Sequence, residues 1–136
     1  MASVGFLTVD CATPRARRRT LLVWGTAAAY AAATYLAVTL TRNAEYVAAI
    51  WPPNAILLAG LLLSANRRVR WEVVSAALAS GAAVNLLNGD SWAIATAIPV
   101  INATEAFIAF FFLRMTCGVR LDLTKAGTVV TFVGVC

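Results

Sequence analysis

Apolar residues run along this chain in long blocks, and polar or charged residues are confined to short punctuation between them. The blocks cover residues 20–40, 47–65, 71–87 and 92–113, and a fifth opens at Ala126 and continues to Cys136. A helix crossing a hydrocarbon core of ~30 Å needs ~20 residues, a length that each of the first four blocks approaches or meets. The pattern predicts an all-α fold: a polytopic transmembrane helical bundle of four spans plus a partial fifth. Residues 1–19 are expected to form a basic amino-terminal tail, and residues 20–136 the transmembrane domain. A basic patch ahead of an apolar run also describes a secretory signal, and Arg18-Arg19-Thr20-Leu21-Leu22 has a faint twin-arginine look. The full spanning length of the first block, and the topology it gives the later ones, favour a retained span.

Composition agrees with the pattern. Of the 136 residues, 61% are hydrophobic and 12% charged, and the mean hydropathy is +0.80. A small water-facing domain must cover much of its surface with polar side chains, so these proportions imply a lipid solvent. The chain has no histidine, and Cys11, Cys117 and Cys136 form no CxxC pair. No zinc site, bis-histidine haem or serine–histidine dyad can be assembled from such a set, so no metal, cofactor or enzymatic activity is expected.

The net charge of +5 comes from clustered cations. Arg15, Arg17, Arg18 and Arg19 precede the first block, Arg67, Arg68 and Arg70 separate the second from the third, and Arg114, Arg120 and Lys125 follow the fourth. The opposite connections hold Arg42 with Glu45, and Asp90. Cations alternating between apolar spans orient a chain in a membrane, so the partner implied is a lipid bilayer and not nucleic acid. By the positive-inside rule the amino terminus is cytoplasmic.

Within the first block Gly25, Ala29, Ala33 and Ala37 recur every four residues, and Ser75, Ala79 and Ala83 do the same in the third. Such stripes let helix backbones approach closely, and both are expected to be packing surfaces inside a compact bundle. Polar groups inside the blocks are costly in hydrocarbon and usually face a partner, a cavity or a ligand. Counted from the inner boundaries, Asn54 lies at ~18 Å, Asn85 at ~21 Å, Asn102 at ~17 Å and Glu105 at ~12 Å. Three asparagines from three helices therefore share a layer near the midplane with the one intramembrane acid just below. Asn102 and Glu105, three residues apart, are expected on one helix face.

The second block opens with Trp51, Pro52, Pro53 and Asn54. A residue before proline is driven out of the α region, so Trp51 and Pro52 should be extended and the helix should begin no earlier than about Pro53. A helix that starts this late is short of a full span and leaves non-helical backbone at membrane depth. Such backbone is tolerated where it is buried in protein or lines a water-filled cavity, and the helix amino terminus beside Asn54 would aim N–H groups into it. A simpler alternative makes Pro52-Pro53 a helix shortener and Trp51 an interfacial anchor. Glu105 reads either as a proton- or ligand-responsive group or as a carboxyl that fixes bundle geometry, and the asparagines alone are common packing devices.

The stretches WPPNAILLAGLLL, SAALASGAAVNLL and NATEAFIAFFFLR, in that order, resemble the membrane-associated sensor domain of the first MASE type. The matching positions are Trp51, Pro52 and Pro53, then Asn85, then Asn102, Glu105 and Ala106, and finally Arg114. The resemblance implies a sensory input module of the bacterial cytoplasmic membrane, placed ahead of a histidine kinase, a diguanylate cyclase or a related output. The spans present correspond to its amino-terminal half, without an output domain. It also implies, as partners, a further copy of the chain or a signalling domain. Trp51, Pro52, Pro53, Asn54, Asn85, Asn102 and Glu105 are then the candidate ligand- or proton-sensing residues. A different class, a small proton-coupled exporter, shares the span count and the single membrane glutamate, although such exporters usually place the acid in the first span. A membrane scaffold without a ligand is a third.

Overall fold

The computed structural model describes residues 13–43 and 52–117. Four helices account for nearly all of them: α1 Pro14–Asn43, α2 Pro52–Leu63, α3 Arg67–Leu87 and α4 Trp92–Cys117. The described part is all-helical, as the block pattern predicts. Within α1 and α4, the stretches Pro14–Thr41 and Trp92–Met115 are long and apolar enough to cross a bilayer, and Pro52–Leu63 is apolar but shorter. Trp51, the 44–50 connection and the partial fifth block at 126–136 lie outside the described residues.

Local chemistry sets the helix boundaries. Thr13 starts α1, its hydroxyl accepting from the Ala16 N–H at 3.4 Å, with Pro14 at the first helical position, where its missing N–H has no bond to lose. The basic residues 15–19 are the first turns of α1. Asn66, in extended conformation, caps α3 by accepting from the Val69 N–H at 3.0 Å, so α3 takes in Arg67–Arg70 ahead of the apolar block. At the other end, Gly89 at φ +86° turns the chain back while its N–H donates to the Leu86 carbonyl. Pro99 lies inside α4 without ending it.

The short second helix begins at Pro52, one residue before the start that the proline rule gives. The rule disfavours helical backbone at Pro52, but a first-turn residue keeps its carbonyl bond, and the N–H that proline lacks would have had no intrahelical partner there. At 12 residues α2 is about 18 Å long, well under the hydrocarbon thickness.

The helices form a rhombus. α2 and α3 touch across its short diagonal, and α1 and α4 each pack against both of them. Leu57, Leu58 and Leu61 of α2, Val69, Val73, Val74 and Ala77 of α3, and Ala103, Ala106, Phe110 and Leu113 of α4 meet in the core beside Tyr30 of α1. Outside, Trp24, Leu40, Leu87, Trp92 and Met115 expose two-thirds or more of their surface. A bundle apolar on both its inner and its outer faces is solvated by lipid.

One expectation is overturned. The stripes Gly25–Ala37 and Ser75–Ala83 are largely outside the bundle: Gly25, Ala29, Ser75, Ala79 and Ala83 are exposed, and only Ala37 is buried. A Cβ added at Gly25 would meet open space. The inward face of α1 is Thr26, Ala27, Tyr30, Thr34 and Ala37, and that of α3 is Val69, Val73, Ala77, Gly81 and Asn85. Small residues mark where a backbone is able to come close, but the largest side chains needing burial decide which face turns in.

Candidate functional site

The polar residues of the bundle fall into two centres and one charged end. The first centre is built around Tyr30 on α1. Its ring lies over Gly81 of α3, where an added Cβ would come within 2.8 Å of Tyr30 Cε1 and 3.2 Å of Pro99 Cγ. That close approach of three helices lets Asn102 of α4 reach across and donate from Nδ2 to Tyr30 Oη at 3.3 Å. Tyr30 and Asn102 are both buried, at 1% and 7% exposure.

One turn further along each helix stand Thr34 of α1 and Asn85 of α3. α1 and α3 run in the same direction, since Arg19 meets Glu72 near their starts and Tyr30 meets Gly81 further on. Equal advances of four residues therefore bring Thr34 and Asn85 to one level of the bundle. Both are fully buried, and Thr34 Oγ1 and both amide atoms of Asn85 have no hydrogen-bond partner in the protein. An unsatisfied buried polar group costs ~1–3 kcal/mol, so Thr34 and Asn85 place a standing cost at this level of an otherwise apolar bundle.

The second centre lies between α2 and α4. Because α2 starts late, Asn54 sits in its first turn, and Nδ2 donates to Glu105 Oε2. Asn54 Oδ1 is buried with no partner in the protein. Glu105 stands at the exposed rim of α4, whereas Asn102, three residues earlier, points inward. The two are near in sequence but serve different centres.

All three basic clusters of the sequence have members at one end of the bundle. Arg19 of α1 forms a bidentate pair with Glu72 of α3, its Nε donating to Oε2 at 2.7 Å, and Arg68 Nε lies 3.5 Å from the same carboxylate. Arg70 of α3 and Arg114 of α4 both stack on the Phe110 ring, at 5.2 and 5.3 Å from its centroid. Charge-assisted and cation–π contacts thus tie the three clusters to one another.

Of the residues singled out in the sequence, Asn54 and Glu105 come together, Asn102 and Asn85 enter the other centre, and Pro52 and Pro53 open α2, with Pro53 buried. The single layer of three asparagines is not one hydrogen-bonded network. Tyr30 and Thr34 were not legible as site residues, because hydroxyl side chains are tolerated in apolar helices, where they can bond the preceding turn's carbonyl. Their four-residue spacing on one face of α1 is the signal that marks them. Among the described residues, no group of three or more His, Cys, Asp or Glu gathers to hold a metal ion.

An apolar helical bundle with unsatisfied amides at its centre and cations at one end has the character of an integral membrane module. Residues 20–136 match the MASE1 family model, and the chain belongs to that family of membrane sensory domains. Comparison with curated proteins and with solved structures gives no match.

Proposed function

We propose that this chain is the sensory input module of a bacterial signalling protein with a histidine kinase or diguanylate cyclase type of output, and that it senses at the two polar centres. The observation that carries this reading is Asn85, fully buried with both amide atoms unpartnered, next to Thr34 and the Tyr30–Asn102 bond. A site that holds free donors and acceptors in an apolar surround binds a small polar ligand or a proton-carrying water, and binding favours whichever helix packing presents those groups best. In this reading all four helices span or enter the cytoplasmic membrane, a fifth span begins near Ala126, and the cationic end faces the cytoplasm, following the positive-inside rule. Pro52, Pro53 and Asn54 form the outer wall beside Glu105, and Trp51 precedes them in the sequence. The movement leaves through the cationic end, where α1, α3 and α4 are clamped together.

The test is a full receptor in membranes carrying Asn54→Leu, Asn102→Leu and Glu105→Gln together, with output measured against stimulus. A stimulus response equal to that of the parent receptor sinks the proposal. Loss of the response, with membrane insertion intact, supports it.

A further inference from the structure

The cationic end holds a cavity that neither polar centre uses. It has a volume of about 550 Å³ and is lined by Arg15, Arg18, Arg19 and Leu22 of α1, by Leu63 at the end of α2 and by Val69 at the start of α3. That size falls within the ~300–1,000 Å³ of small-ligand sites. Steps of three and four residues put the arginines and Leu22 on one face of α1. Facing them, the turn between α2 and α3 is held by Asn66, which accepts from the Val69 N–H.

The lining changes character along α1. Arg15 is its outermost member, and Leu22 lies ~10 Å further along the helix, where it packs on the core cluster that includes Val69. Leu63 leaves 66% of its surface exposed. Among the described residues Glu72 is the one carboxylate at this end of the bundle, and it is taken up by Arg19 and Arg68. Arg15 and Arg18 are exposed and have no acid partner among those residues. Two uncompensated guanidinium groups above an apolar floor complement a ligand with an anionic head and a hydrocarbon body. Soluble phosphate would satisfy the guanidinium groups and leave Leu22 and Leu63 uncovered.

We propose that this cavity binds an anionic phospholipid, its phosphate held by Arg15 and Arg18 and the start of an acyl chain lying along Leu22 and Leu63. Arginine presents paired N–H groups that match phosphate oxygens two at a time. Basic pockets at the ends of membrane helices are recurrent sites for phospholipid head groups. A lipid seated there joins α1 to the turn between α2 and α3, beside the Arg19–Glu72 pair. The proposal uses charge and shape at the cationic end alone and stands whether or not the polar centres bind a ligand.

Native mass spectrometry of the detergent-solubilised full chain, titrated with phosphatidylglycerol or with phosphatidylcholine, tests it. One phosphatidylglycerol per chain should bind in clear preference to the zwitterionic lipid. Arg15→Gln with Arg18→Gln should weaken that binding at least ~10-fold, as the loss of two cations at a membrane surface does. Arg17→Gln with Arg67→Gln removes the same charge from the same end but outside the cavity, and should weaken binding far less. Ala65→Trp narrows the cavity from its exposed turn without changing charge, and should lower the affinity several-fold. All the substituted positions are exposed, and circular dichroism like that of the parent chain shows that each variant is folded. Equal losses for the two arginine pairs overturn the proposal, since diffuse charge would then hold the lipid. Displacement of phosphatidylglycerol by an equal concentration of inorganic phosphate overturns it too, by assigning the cavity to a soluble anion.

Discussion

Gly81 is the residue on which the first polar centre depends. Tyr30 and Pro99 approach it so closely that a methyl group would have to displace a buried ring or a rigid pyrrolidine. Gly81→Ala is therefore expected to lower stability by ~1–3 kcal/mol, as overpacking does in well-packed interiors. At Gly25, where an added Cβ meets open space, the same change should raise stability by ~0.5–1 kcal/mol through helix propensity. Unfolding of the solubilised protein compares the two, and equal effects would mean that the three-helix approach is absent. Asn85 is the converse case. Asn85→Leu removes two buried, unpartnered atoms from an apolar site and should stabilise the bundle by ~1–3 kcal/mol while abolishing the stimulus response. A loss of stability on that change would instead make Asn85 a packing device with partners of its own.

The elements follow from the sequence to different depths. The apolar blocks located all four helices, although only α1 and α4 contain stretches long and apolar enough to cross a bilayer. The pattern left the ends less well fixed. Arg15, Arg17, Arg18 and Arg19 join α1, and Arg67, Arg68 and Arg70 join α3, because polar caps at Thr13 and Asn66 start those helices outside the apolar blocks. Which face turns inward was misread for α1 and α3, since a stripe of small residues and the Tyr30–Thr34 face are equally helical and only tertiary contact separates them. The Asn54–Glu105 pair was within reach of the sequence, whereas the Tyr30–Asn102 bond depends on Gly81, whose role is visible only when three helices meet. At the cationic end, the Arg19–Glu72 pair joins α1 to α3 where both side chains are partly exposed. Glu72→Gln should lower stability only slightly, with a smaller effect in high salt, and Arg19→Glu combined with Glu72→Arg should restore most of the loss. A larger, salt-insensitive loss would show that Glu72 supports more than that pair.

At the scale of the whole molecule, the arrangement bears on how a signal would cross the bundle. α1 and α4 occupy the two far corners of the rhombus, and each packs on α2 and α3 instead of on the other. Tyr30–Asn102 is a direct side-chain bond between them, at the level where Gly81 lets both come near. A polar ligand at the Asn85–Thr34 level would compete for the Asn102 amide, and losing that bond would free α4 to shift against α1 without breaking the α2–α3 diagonal. Displacement at the midplane would then reach the cationic end, where Arg70 and Arg114 share the Phe110 ring. If the bond holds one of two packings, Tyr30→Phe and Asn102→Leu should each bias the receptor output in the same direction without stimulus. Their double mutant should differ little from either alone. A double-mutant cycle on stability should give a coupling of ~0.5–2 kcal/mol, the range of interhelical hydrogen bonds in membranes. Additive effects on both stability and basal output would show that Tyr30 and Asn102 act independently, and that the two halves of the rhombus communicate through α2 and α3 alone.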